Sequence, residues 1–373
     1  MMNIVILTTS YTKGGAEKHA LLLARYLQKE TKHNVSFWVF RKGSGELEEE
    51  LSQYHIPSEI ISKNISNNRA ILPIKTIRAG MVFRRRSIKV VISFNLEANH
   101  FAAKVKKYGG YCLVWSQQTS NDIHMLNATS YSFVSNANLY ISNSQHAAQY
   151  LIDDFGVSPS KTVFVANGFD EEKNYPVDQP VLDGAIDSTK FNVVMVAHVE
   201  ERKDHTTLLD AWALFIKKFP EAHLYIAGKN NSTFGRNIQE YARRVCETHT
   251  VSFLGAVENI PSLLDQCSAF AFSSNIEGMP NAIVEAMFAK LPIVANDLEG
   301  NLEALGARAI EEQVCPSRDA ERFANRLLQI AKDPQLANRL GKENYAYAKK
   351  TFGISIMGEK TMAAINNLLP HEK

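Results

Sequence analysis

Two glutamates eight residues apart, Glu277 and Glu285, stand in the stretch SNIEGMPNAIVEAM (274–287). Between them Gly278 and Pro280 make a turn, and Pro280 sits where proline is tolerated at the start of a helix. The backbone N–H groups of residues 278–282, Pro280 contributing none, are then left without helical partners. With the helix dipole they form a site for negative charge or for hydroxyl oxygens. Asn281 and Glu285 are four apart, hence on one helical face, and their side chains lean toward the helix start. Both carboxylates can therefore approach one polyhydroxylated ligand, since each accepts hydrogen bonds from neighbouring hydroxyls. The competing explanation is a pair of solvated charges. Against it stand the apolar neighbours of Glu285 in AIVEAM, which mark a mostly buried helix.

The elements that must position these groups alternate between strand and helix. In the first half, NIVILTT (3–9), NVSFWVF (34–40), VVISF (90–94), CLVW (112–115) and LYISNS (139–144) are short apolar runs bounded by polar residues, the pattern of buried strands. In the second half, FNVVMVA (191–197), AHLYIAG (222–228), VSFLG (251–255), AFAFSS (269–274) and LPIVAND (291–297) repeat the pattern, with helical periodicity between them. Such alternation predicts parallel sheets covered by helices on both faces. The segment 170–190 is polar, holds two prolines and lacks apolar periodicity, so it reads as a linker. The fold expected is α/β with two Rossmann-like domains facing across a cleft. Ligands of such sheets bind beyond the carboxyl ends of the strands, and Glu277 follows a strand.

Composition narrows the function classes. With 373 residues, 45% hydrophobic and 21% charged, two globular domains are expected. A formal charge of +2 gives no overall pull toward nucleic acid. The four cysteines (Cys112, Cys246, Cys267, Cys315) have neither CxxC nor metal-ligand spacing, which fits a reducing compartment and gives no reason to expect a metal or other cofactor. No run approaches the length of a spanning helix, and a cytoplasmic protein is the expectation.

Residues 251–303 carry VSFLG, IPSLLDQCSAFAFSS, NIEGMPNAIVEAMFAKLPIVAND and EGNLEAL in that order. This resembles the donor half of retaining glycosyltransferases of family 4, which have the GT-B fold, and Glu277 and Glu285 match that family's E-x7-E motif. The resemblance implies that Glu277 lies by the transferred sugar and Glu285 holds the ribose hydroxyls of the nucleotide. Backbone around Gly278, Met279, Pro280 and Asn281 would line the sugar pocket. VAHVEERKDHTTLLDAW (196–212) is similar to the family's phosphate-binding segment, which places Lys203 on the donor diphosphate as a point charge. The family's arginine position holds His198 here, so either His198 or the neighbouring Arg202 takes that part. TKGGAEKHA resembles the family's Gly-Gly loop, which brings Gly15 beside the diphosphate. It is not G-x-G-x-x-G, which argues against a nicotinamide or flavin site.

LYISNSQHAAQYLIDDFGVSPSKTVFVANGFD (139–170) is also similar to the family, whose Asn-Gly near the domain boundary matches Asn167-Gly168. A histidine carried by many members after a strand of the first domain is missing. LVWSQQTSND supplies Gln117 and Gln118 instead, which can hydrogen-bond a sugar but cannot act as a base. His100 and His124 are nearby in sequence, and lone histidines of this kind read as structural residues. Residues 67–91 hold seven Lys or Arg and no acid among interleaved apolar residues, a candidate basic amphipathic surface for anionic lipid headgroups.

The resemblance implies a GT-B enzyme with an N-terminal acceptor-side domain (1–172, joined by a C-terminal helix, 353–373, that crosses back) and a donor-binding domain (188–352). Its expected activity is retaining transfer of a hexose or N-acetylhexosamine from a nucleotide-diphosphate sugar, UDP-sugar favoured. The expected acceptor is an alcohol on a glycan or lipid-linked carrier, at the inner face of a membrane. A nucleotide-sugar 2-epimerase of similar fold is the alternative enzyme, and a non-catalytic partner protein the alternative outside catalysis.

Overall fold

The computed structural model describes residues 1–61, 72–118, 133–170 and 186–369. The chain divides into two compact units, Met1–Asp170 with Phe352–Lys373, and Glu171–Thr351. Most of the expected linker, 171–185, lies outside the described residues, as do His124 and the start of the basic segment.

The first unit alternates β1 (Asn3–Ser10), α1 (Gly15–Glu30), β2 (Asn34–Arg41), α2 (Glu46–Gln53), β3 (Ser58–Ile60), α3 (Leu72–Arg85), β4 (Ile88–Phe94), α4 (Leu96–Gly109), β5 (Cys112–Gln117), β6 (Leu139–Ser142), α5 (Gln145–Asp153) and β7 (Thr162–Phe164). Its strands form a parallel sheet in the order β3-β2-β1-β4-β5-β6-β7. Ile4 to Leu7 of the inner strand β1 are fully buried, as strands covered on both faces require.

The second unit continues with β8 (Phe191–Val196), α6 (His205–Ile216), β9 (Ala222–Ala227), α7 (Thr233–Val245), β10 (Val251–Gly255), α8 (Ile260–Asp265), β11 (Ala269–Phe272), α9 (Asn281–Phe288), β12 (Ile293–Asn296), α10 (Glu299–Leu305), α11 (Ile310–Gln313), β13 (Val314–Cys315), α12 (Ala320–Lys332) and α13 (Pro334–Phe352). The parallel order is β10-β9-β8-β11-β12-β13. The final helix, α14 (Ile354–Leu368), belongs to the first unit and packs on α1. Gly358 lies so close to Tyr26 that a Cβ there would approach its ring to 2.0 Å.

Each sheet has one point where the chain reverses its direction of winding. In the first it lies between β1 and β4, in the second between β8 and β11. These switch points open crevices at the carboxyl ends of the strands.

All ten expected strands are present, with ends shifted by at most two residues. Three short strands, Ser58–Ile60, Thr162–Phe164 and Val314–Cys315, were beyond periodicity because two or three residues carry no alternation. The basic stretch 67–91 is not one surface. From residue 72 it forms α3 and then enters β4, so Phe83, Ile88 and Val90 are core residues. Residues 67–71 lie outside the described residues.

Candidate active site

The second unit's switch point is built by two loops stitched together. The loop after β8 carries His198, Arg202 and Lys203, and the loop after β11 carries Ser274 and Glu277. Asn275 N–H donates to the Arg202 carbonyl at 2.8 Å, Asp204 N–H donates to the Ser273 carbonyl at 3.1 Å, and the Ser274 hydroxyl donates to the Arg202 carbonyl at 3.0 Å. A β-bridge between Lys203 and Ser274 completes the seam. Residues 74 positions apart thus become neighbours.

That seam brings two of the expected residues into direct contact. Lys203 Nζ donates to Glu277 Oε1, and the same oxygen accepts from Ser274 Oγ at 2.7 Å. The Lys203 ammonium also stands 5.0 Å from the centre of the Phe272 ring. Their side chains are only 15% and 11% exposed, so the pair is strengthened by partial desolvation and is also costly to break. Beneath Lys203, buried His205 is hydrogen-bonded through Nδ1 to the Lys203 carbonyl at 3.3 Å. Burial pushes the His205 pKa down to about 4.

The turn after Glu277 is held from a third side. Asn296 Oδ1 accepts from Ser274 N–H at 3.0 Å while its Nδ2 donates to the Ser274 carbonyl at 2.8 Å. Asn301 Nδ2 donates to the Asn296 carbonyl and carboxamide oxygens at 3.0 and 2.9 Å. A Cβ on Gly300 would fall 2.2 Å from the Gly278 carbonyl oxygen, so only glycine lets α10 approach this turn. Ser274, Asn296, Gly300 and Asn301 were not singled out by sequence reasoning. Nothing in their spacing marks them, because their role arises from strand neighbours.

Pro280 is the residue before α9, and no side chain caps that helix and no acid lies in its first turn. Met279 and Pro280 are buried, and Gly278, Asn281 and Glu285 are half-buried. Glu285 follows buried Ile283 and Val284 and precedes buried Ala286 and Met287. His198 is exposed, and its Nδ1 accepts from Lys229 N–H at 3.1 Å. The exposed Arg202 guanidinium pairs with Glu200 at 2.8 Å.

The remaining expected residues belong to the first unit. Gly15 opens α1 after Gly14. Gln117 ends β5 with its carboxamide oxygen accepting from Trp115 Nε1 at 3.0 Å, and is buried. Gln118 donates to the Ser116 hydroxyl at 2.7 Å. Asn167 is buried, and Gly168 beside it bonds His19 Nδ1 through its carbonyl at 3.1 Å and lies against Met357 of α14. His100 sits edge-on to Trp115 and tilted on Phe133, and burial lowers its pKa. Among the described residues no group of three His, Cys, Asp or Glu side chains could hold a metal ion, and no helix is long and apolar enough to cross a membrane.

A model of Glycosyltransferase Family 4 matches residues 13–173, and one of Glycosyl transferases group 1 matches residues 183–347. The chain is similar to an uncharacterized glycosyltransferase of Haemophilus influenzae, 24% identical over 163 residues, 42% of this chain and 46% of that protein. It is also 22% identical over 236 residues to the N-acetylgalactosamine-N,N'-diacetylbacillosaminyl-diphospho-undecaprenol 4-alpha-N-acetylgalactosaminyltransferase of Campylobacter jejuni, covering 61% of this chain and 62% of the relative. The matched stretch spans less than half the length of the Haemophilus relative. Among solved structures, Anabaena HepE in complex with UDP and glucose superposes with a TM-score of 0.82 at 20% identity, over 98% of this chain and all of that one. With two parallel α/β sheets, a GT-B structural neighbour over nearly its whole length and a glycosyltransferase model on each half, the chain is of the family 4, GT-B glycosyltransferase type.

Proposed function

We propose that the protein transfers a hexose or N-acetylhexosamine from a nucleotide-diphosphate sugar, UDP-sugar first among candidates, to an alcohol of a glycan or lipid-linked acceptor, with retention of configuration. The observation that carries this reading is the contact between Lys203 and Glu277 at the β8/β11 switch point, with Glu285 one turn into the helix that follows. A cation and a carboxylate at the carboxyl end of a parallel sheet, beside a helix start, suit a ligand with a phosphate at one end and hydroxyls at the other. HepE, the structural neighbour, is known in complexes with UDP, UDP-glucose, and UDP with glucose, which supports the uridine preference.

In this reading Lys203 turns from Glu277 to the diphosphate and stabilises charge on the leaving group, aided by His198 or Arg202. Gly15 contributes backbone only. Glu277, released from Lys203, accepts from the sugar hydroxyls, and Glu285 from the ribose. Gly278, Met279 and Asn281 offer backbone N–H groups, and Pro280 sets the turn. The bond from the anomeric carbon to the phosphate oxygen breaks as the acceptor oxygen adds on the same face. The acceptor proton passes to the departing phosphate, which requires no protein base. Gln117, Gln118 and Asn167 are the acceptor-side candidates.

Helix α3 also exposes Ile74, Met81 and Val82 beside exposed Arg78, Arg84 and Arg85. This supports contact with an anionic membrane surface, where a lipid-linked acceptor would be found. Cosedimentation with phosphatidylglycerol vesicles, lost on Arg84→Glu with Arg85→Glu, tests that part.

The central test is calorimetric titration with UDP, GDP and ADP, repeated on Glu285→Ala. Selective binding of one nucleotide, weakened by the substitution, supports the donor site. Absence of nucleotide binding would favour the non-catalytic alternative, and free epimerised sugar nucleotide formed without acceptor would favour the epimerase.

A further inference from the structure

The switch point of the first unit holds a second built crevice. It has a volume of about 560 Å³ and is lined by Thr9, Thr12, Gly14, Glu17, Arg41 and Asn95, among others. It opens at the carboxyl ends of β1, β2 and β4, where α/β sheets bind their ligands.

Three features converge on one carboxylate in it. Asn95 has φ +63° and ψ 160°, a region almost confined to glycine, and there its Nδ2 donates to Glu17 Oε1 at 2.9 Å. Asn95 Oδ1 accepts from Thr9 Oγ1 at 2.7 Å and from Ala98 N–H at 3.3 Å, which fixes which end of the carboxamide faces Glu17. The other carboxylate oxygen, Oε2, lies only 2.5 Å from where a side chain on Gly14 would begin. Glu17 is half-buried, and desolvation raises its pKa although bonds from Asn95 and its own backbone N–H oppose the rise. A strained asparagine, a glycine and a desolvated carboxylate all work toward one placement of the Glu17 head.

The lining also selects the ligand class. A phosphate would meet the carboxylates of Glu17 and Glu97, and Arg41 is already paired with Glu97 at 2.9 Å. An apolar group would strip water from threonine hydroxyls and a carboxylate without replacing their hydrogen bonds. Neutral hydroxyl groups fit, because a carboxylate only accepts and hydroxyls can donate to its remaining lone pairs. We propose that Glu17, held by Asn95 and Thr9, binds the hydroxyl groups of a carbohydrate in the β1/β4 crevice. This deepens the transferase reading and rests on it for the sugar's part as acceptor. Glu17 is a carbohydrate-binding residue and takes no proton in the reaction.

The test is saturation-transfer NMR with the full-length protein and four probes: the methyl β-glycosides of glucose, galactose, N-acetylglucosamine and N-acetylgalactosamine. UDP titrations run on the same wild-type and Glu17→Gln samples. At least one glycoside should bind the wild type, and its affinity should fall about fivefold or more in Glu17→Gln, the loss expected for one charge-assisted hydrogen bond. Gly14→Ala, which puts a methyl where Oε2 lies, should weaken it alike, while Glu285→Ala and Glu277→Ala should not. Failure of all four glycosides to bind the wild type would overturn the assignment. So would affinity unchanged in Glu17→Gln and Gly14→Ala, or lost equally in Glu277→Ala. Failure of UDP to bind the wild type would instead strike the donor site, a result separable from the glycoside signal.

Discussion

Lys203 and Glu277, 74 residues apart in sequence, form an ion pair whose carboxylate oxygen is shared with the Ser274 hydroxyl. The two groups expected to hold opposite ends of a donor therefore hold each other. Each orients the other at low exposure, and a ligand offering a phosphate and hydroxyls can replace both halves of the pair.

Removing either partner should cost more than removing both. Lys203→Ala and Glu277→Ala each leave a poorly hydrated charge, and about 2–3 kcal/mol of stability should be lost in each. The double substitution should lose less than the sum, giving a favourable coupling in a denaturant-based double-mutant cycle. Additive losses would mean that the pair is not formed in solution. Both single variants should also lose transferase activity by at least about a hundredfold, since each removes a group proposed to act on the donor.

Glu285 should affect nucleotide binding more than chemistry. Glu285→Ala should weaken UDP about tenfold, or about 1.4 kcal/mol, as expected for lost hydrogen bonds to hydroxyls. Calorimetry reads the affinity directly. A fall in kcat with UDP affinity unchanged would move Glu285 away from the ribose.

Gly300 is the strictest steric element of the site. In Gly300→Ala the new methyl meets the Gly278 carbonyl oxygen at 2.2 Å, and one of the two backbones must move. Glu277 and Gly278 are only half-buried while Gly300 is buried, so the turn and with it Glu277 should shift. A displacement of about 1 Å can cost a hundredfold in rate. Steady-state kinetics should show kcat falling by about that much, with UDP affinity reduced far less. Full activity would show that the turn adapts without cost.

His205 makes the second unit acid-sensitive. Its pKa in the folded protein is about 4, below the ordinary 6.5, so the unfolded chain takes up the proton first. The stability contributed by the neutral ring is complete above about pH 6.5 and is lost as pH falls toward 4. The full loss is about 3 kcal/mol. Urea midpoints measured at pH 7 and pH 5 should differ in the wild type and differ less in His205→Phe. Equal pH dependence in both proteins would assign the acid sensitivity to other groups.

The sequence alone determined the alternation of strands and helices, because a parallel strand buried on both faces must be a short apolar run and its helix must be amphipathic. It also placed Glu277 just after a strand and Glu285 one turn into a helix, since proline, glycine and a four-residue spacing are local signals. The ion pair between Lys203 and Glu277 was not legible, nor was the clamp of Asn296, Asn301 and Gly300 on the Glu277 turn. These depend on which strands become neighbours, and β8 lies beside β11 only because the sheet reverses direction there. The same reversal in the first sheet brings Asn95 to Glu17, 78 residues away, at a backbone angle that no side chain adopts by its own preference. Local propensity wrote the elements; strand order, a property of the whole chain's packing, chose which of their polar residues meet.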